Sequence, residues 1–86
     1  MNNKNWYVYI IECKDKRLYT GITDNLERRI KQHNCGCGCR FTKFRFPVKL
    51  IHSEIFLTKE LALKREAEIK GWKKERKLEL IGGRVI

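Results

Sequence analysis

Several side chains of this 86-residue sequence stand where helical periodicity makes a charge costly. Between about residues 24 and 34, Leu26 and Ile30 form an apolar stripe. Arg29 and His33 flank that stripe one turn apart, whereas Arg28, Lys31 and Gln32 point away. A guanidinium turned inward needs an anion, either a structural carboxylate or a bound phosphate. The plainer alternative is an Arg29 paired with a local glutamate and a His33 that merely ends a helix. A second helical pattern places Leu61, Ala62, Ile69 and Trp72 on one side, with Glu66 between Ala62 and Leu63 and Arg65 projecting the same way. A carboxylate on that inner edge must be paired or bound to metal, so Glu66 is a partner of Arg29 or Lys70, or a ligand of a hard cation.

Two further clusters carry chemistry of other kinds. Arg40, Lys43, Arg45 and Lys49 are interleaved with Phe41, Phe44 and Phe46 in a stretch that holds no acid. Cations and aromatic faces together suit a nucleic-acid strand, through phosphate pairing and base stacking. Equally, the phenylalanines can belong to the core and the charges to its rim. Lys70, Lys73, Lys74, Arg76 and Lys77 form either a phosphate-contacting edge or a solvated helix face. Cys35, Cys37 and Cys39 alternate with glycine more tightly than the paired ligands of structural zinc sites. Cys13, His33 and His52 are the other candidate ligands, and zinc or redox work at the cluster is not expected.

The elements that must hold these groups follow from pattern. Residues 6–13 are aromatic and β-branched, Lys14 to Arg17 interrupt them, and Leu18 to Ile22 resume, which reads as a β-hairpin. Thr23 or Asp24 offers an N-cap, and Asp24 with Glu27 resembles a capping box, for a helix to about Asn34. Residues 35–47 read as a loop ending at Pro47, and Val48 to Phe56 as a third strand. Thr58 caps a helix to about Lys70, Gly71 ends it, and Lys73 to Ile81 form a last helix. The expected fold class is α+β, in the order β-β-α-β-α-α, as a single domain over residues 1–86 with a core of about 6–80. A hairpin makes the sheet antiparallel at least in part, which excludes a doubly wound architecture.

Composition narrows the partners. Twenty basic against ten acidic residues give a net charge of +10 and a pI near 9.8, which points to a polyanion. The excess is not a tail: residues 1–43 carry nine basic and four acidic side chains, and residues 44–86 eleven and six. No apolar run has the length of a membrane span and no signal pattern opens the chain, so a cytoplasmic protein with reduced thiols and no membrane partner is expected.

Tyr7-Val8-Tyr9, Tyr19-Thr20-Gly21, Arg29, His33 and Glu66, in that order, resemble the signature of the GIY-YIG nuclease superfamily. The resemblance is closest to its small stand-alone bacterial-type, UPF0213-like proteins. It runs from Trp6 to about Leu80 and includes Gln32-His33-Asn34, Phe41-Thr42 and Pro47-Val48. Tyr7 stands where the name-giving motif has glycine, and Thr20 fills the middle of the second tripeptide. The resemblance implies a central three-stranded antiparallel sheet flanked by helices, and divalent-metal-dependent endonucleolytic cleavage of nucleic acid, with DNA and its repair or processing as the expected setting. It implies that Glu66 holds one Mg²⁺ or Mn²⁺ and that Arg29 neutralises charge on the phosphoryl group. It implies, too, that Tyr9 and Tyr19 orient or deprotonate the attacking water, assisted by His33. A module that keeps the fold and binds nucleic acid without cutting it is the alternative. Both tyrosines face one side only if the hairpin keeps an even offset, which a three-residue loop Asp15-Lys16-Arg17 would give and a two-residue loop would not.

Overall fold

The computed structural model describes residues 5–37, 40 and 42–80. The elements are β1 (Trp6–Glu12), β2 (Leu18–Thr23), α1 (Leu26–Asn34), β3 (Lys49–Phe56), α2 (Lys59–Lys70) and α3 (Lys74–Leu80). The α+β order read from the sequence is the order observed, and the three strands form one antiparallel sheet in the order β2-β1-β3.

The central position of β1 explains its unbroken apolar run. A strand covered on both faces buries every side chain, whereas a half-solvated one alternates. Val8 and Ile10 enter a cluster with Ala62 and Ile69 of α2, completed by Trp6, Ile22, Trp72 and Leu80. Tyr9, Ile11 and Cys13 enter a second cluster on the opposite face, with Val48 and with Leu26 and Ile30 of α1. The sheet is therefore a middle layer, with α1 on one side and α2 and α3 on the other. A bulge between Ile10 and Ile11 sets Ile51 as the extra residue of β3, and Ile51 joins the α2 side.

Local chemistry shifts the boundaries by a residue or two. Asn25, rather than Thr23 or Asp24, is the N-cap of α1: its backbone is extended and its side chain accepts from the Arg28 amide. The Thr23 hydroxyl accepts from the Asn25 amide, and the Asp24 carboxylate pairs with Arg28, so both brace the cap. Thr58 caps α2 as expected, accepting from Leu61 N at 3.2 Å, and Gly71 closes it. β3 begins at Lys49, because Asn34 engages both backbone groups of Val48. Leu61 is about half exposed, so the buried line of α2 is Ala62 and Ile69. Ile81 and Gly38, Cys39 and Phe41 of the loop lie outside the described residues. Among the described residues no helix is long and apolar enough to cross a membrane.

Candidate active site

The hairpin decides which way the tyrosines face. Cys13 N donates to Arg17 O and Lys16 N to Cys13 O, enclosing a three-residue loop, Lys14-Asp15-Lys16, with Lys16 left-handed at φ 74°. This is a type I turn followed by a bulge-forming residue. The loop lies one residue earlier than Asp15–Arg17 but has the same length, so the parity is kept. Tyr9 pairs with Gly21 and Ile11 with Tyr19, which turns both tyrosines toward α1. Their ring centroids are 6.3 Å apart.

Gly21 makes this arrangement sterically feasible. A Cβ at that position would stand 2.6 Å from the Tyr9 hydroxyl oxygen, 2.8 Å from Tyr9 Cζ and 3.1 Å from Tyr19 Cε2. The Tyr9 ring therefore lies across bare backbone, a close approach that only glycine permits.

From the facing helix, α1 supplies two groups to the same phenol. Arg29 Nε donates to Tyr9 Oη at 3.3 Å, and His33 Nε2 lies 2.9 Å from that oxygen. His33 Nδ1 lies 2.7 Å from Thr42 Oγ1, and Arg29 Nη1 donates to Gln32 Oε1 at 3.0 Å. Tyr9, His33 and Thr42 are fully buried. Burial, and secondarily the Arg29 charge, lower the His33 imidazole to about 4, so it is neutral at physiological pH. A neutral imidazole has one donor and one acceptor nitrogen, and each faces a hydroxyl that can do either. The result is a polar chain, Arg29 to Tyr9 to His33 to Thr42, in an otherwise apolar layer.

Tyr19 closes the cluster on its β2 side, with its ring 5.4 Å from that of His33. The Lys70 ammonium stands 5.7 Å from the Tyr19 ring centroid and 3.1 Å from Glu66 Oε2. Tyr9, Tyr19, Arg29 and His33 thus meet directly, and Glu66 is linked to Tyr19 through Lys70. Of the partners foreseen for Glu66, the structure displays Lys70. The Glu66 side chain is 17% exposed. Among the described residues no group of three His, Cys, Asp or Glu could hold a metal ion. A hard divalent cation at Glu66 would draw on this carboxylate and complete its shell with water and substrate oxygens.

The structure disperses the remaining candidates. Arg40, Lys43 and Lys73 are exposed, Lys74 Nζ donates to Lys16 O at 3.0 Å, and Arg45 Nε donates to Asp15 Oδ2 at 3.0 Å. Phe44 is 84% and Phe46 40% exposed, so neither fills the core. Cys35 and Cys37 are exposed, Cys13 is buried, and His52 contacts Glu54. Sequence reasoning missed what Thr42 does. Thr42 belongs to the family resemblance, but no periodicity in residues 35–47 shows that its hydroxyl reaches His33.

A sheet face presenting two tyrosines to a helical arginine and histidine, with a carboxylate reaching them through Lys70 from the opposite helix layer, gives this α+β fold a candidate Tyr/Arg/His/Glu site. Residues 5–79 match the family described as the GIY-YIG catalytic domain, so the chain belongs to the GIY-YIG family, a nuclease superfamily. It is 52% identical over 80 residues to the UPF0213 protein of Clostridium perfringens, covering 93% of this chain and 86% of that one. To the UPF0213 protein of Haloquadratum walsbyi it is 51% identical over 74 residues, covering 86% and 83%. The solution structure of the UPF0213 protein of Bacillus halodurans superposes with a TM-score of 0.60 at 42% identity, over 91% of this chain and 83% of that one.

Proposed function

We propose that this protein is a metal-dependent endonuclease that hydrolyses a phosphodiester bond of nucleic acid, with DNA as substrate, in repair or processing within the cytoplasm. The observation that carries the proposal is the Tyr9 hydroxyl held between Arg29 Nε and His33 Nε2 at 3.3 and 2.9 Å. A structural core has no need of an arginine and a neutral histidine converging on one buried phenol, whereas a phosphoryl site needs a fixed cation beside a group that can position water.

In this reading a water attacks phosphorus, the P–O bond to the leaving oxygen breaks, and negative charge grows on the phosphoryl oxygens. Arg29, oriented by Tyr9 and Gln32, lies against that charge. Tyr9 and Tyr19 orient the water; for Tyr9 to take its proton, the phenol's own proton passes to His33 Nε2, and the leaving oxygen takes a proton from solvent. With His33 Nε2 as acceptor, the Tyr9 proton already points along a path toward the imidazole. Glu66 would hold Mg²⁺ or Mn²⁺, which supplies further positive charge at the phosphate when bound. Arg40, Lys43, Arg45, Lys70, Lys73 and Lys74, dispersed over the surface, bind the polyanion beyond the site. The Lys70 ammonium on Glu66 favours a second reading, a binding module in which lysine replaces the metal.

The test is cleavage of single-stranded, duplex, flapped and branched DNA and RNA with Mg²⁺ or Mn²⁺, comparing the native chain with Arg29→Ala and Glu66→Ala. Each variant is expected to lose about 10²-fold or more in rate, the scale of losing one preorganised transition-state contact. Glu66→Ala is expected to keep its binding. Native protein that binds but never cuts any substrate would refute the nuclease reading and favour the module.

A further inference from the structure

We propose that Phe44 is a stacking platform for an unpaired base, so that the protein prefers nucleic acid carrying a single-stranded segment beside the cleavage site. The inference rests on the nucleic-acid reading of the site and names the form of substrate it takes.

Phe44 is 84% exposed, the most exposed large apolar side chain among the described residues. Exposure of this kind at a loose loop tip would mean little, but this tip is anchored on both sides. Two residues before it, Thr42 is fully buried against His33 at 2.7 Å. One residue after it, Arg45 is tied to the β1–β2 turn, through Asp15 Oδ2 at 3.0 Å and through its carbonyl, which accepts from Lys14 N at 2.9 Å. Phe46 is only 40% exposed, and its ring lies over Gly36, where a Cβ would stand 3.1 Å from Phe46 Cε2. Anchors that bury Thr42 and seat Phe46 therefore leave the Phe44 ring held out to solvent.

The surroundings select a polyanion as the occupant. No Asp or Glu occurs from residue 28 to residue 53, while Arg28, Arg29, Lys31, Arg40, Lys43, Arg45 and Lys49 all do. Lys43 Nζ stands 5.5 Å from the Phe44 ring centroid, so a cation and an aromatic face are offered together. A membrane surface or an acidic peptide would use the charge but would not need a single flat ring. A base needs both, and only a base out of a duplex stack presents its face to stack on. Two residues of chain reach at most about 7 Å, and Thr42 is joined through His33 and Tyr9 to Arg29, so the stacked base would lie within a few nucleotides of a phosphate held by Arg29.

The experiment measures equilibrium binding by fluorescence anisotropy in EDTA. It uses a labelled single strand, in DNA and RNA forms, a blunt duplex of the same sequence, and that duplex with a single-stranded overhang. The native chain is expected to bind the strands and the overhang more tightly than the blunt duplex. Phe44→Ala is expected to weaken binding to the unpaired forms about 5- to 30-fold, the lower part of the range for one lost stack, while changing blunt-duplex binding little. Phe44→Trp is expected to restore or exceed native affinity. Lys43→Ala is expected to weaken all forms alike and to reduce the salt dependence by about one phosphate contact. Equal effects of Phe44→Ala on paired and unpaired forms, or none, would overturn the proposal even in a protein that cuts DNA. Conversely, absence of cleavage with the stacking preference intact would sink only the nuclease reading, since no metal takes part in this measurement.

Discussion

Acidification from pH 7 to pH 5 is expected to destabilise the fold through one side chain. His33 is fully buried between Tyr9 and Thr42, and burial, reinforced by the Arg29 charge, lowers its pKa from 6.5 to about 4. In the unfolded chain the imidazole titrates normally. Between these two values the unfolded state therefore binds a proton that the native state refuses, so stability is full above pH 6.5 and falls as the pH drops toward 4. Evaluating proton uptake at pH 7 and pH 5 with these two constants gives a loss of about 1.8 kcal/mol. At roughly 4–8 °C per kcal/mol for a domain of this size, Tm should fall by about 7–14 °C. Stopping at pH 5 isolates the effect. Glu54, whose carboxyl is held below its usual range chiefly by the Arg65 hydrogen bond, contributes stability that is lost only at lower pH. Urea unfolding at the two pH values measures the change, and the His33 Cε1–H resonance reports the titration directly. His33→Gln should remove most of the dependence. An imidazole that titrates near 6.5 in the native protein, or a pH slope that survives in His33→Gln, would refute the reasoning.

Two other substitutions probe the packing around the same histidine. Gly21→Ala places a Cβ 2.6 Å from the hydroxyl of a fully buried tyrosine that is hydrogen-bonded to Arg29 and His33 and has little freedom to yield. A loss of about 1–3 kcal/mol is expected from overpacking, together with a fall in cleavage under the nuclease proposal, and an unchanged Tm would show that the Tyr9 ring does not cross the strand there. Thr42→Val removes the hydroxyl at 2.7 Å from His33 Nδ1 and leaves a buried nitrogen without that partner. Urea unfolding should show a loss of about 1–3 kcal/mol that Thr42→Ser restores, and equal stability of the valine and serine variants would count against the contact.

Much of the candidate site was legible because its residues lie on elements with a short period. Arg29 and His33 announced themselves by flanking Leu26 and Ile30 on a 3.6-residue repeat, and both indeed face the sheet. The tyrosines were legible up to a parity, which the three-residue loop closed by Cys13 and Arg17 resolves. α2 was harder to read, since Leu61 and Leu63 are both partly exposed and only Ala62 and Ile69 are buried, so a wheel drawn through all its apolar residues is too broad.

By itself, the sequence determined the order of strands and helices, the polyanion-seeking charge and the family, because each depends on local periodicity, summed charge or motifs in chain order. Only the tertiary structure decided that Thr42 buttresses His33, that Arg45 ties its loop to Asp15, that Glu66 meets Lys70, and that Phe44 faces water while Phe46 lies over Gly36. The loop after α1 has no repeating period to fold against. Where its side chains go is set by which partners the hairpin and α1 offer across space, and that information lies in no window of the chain.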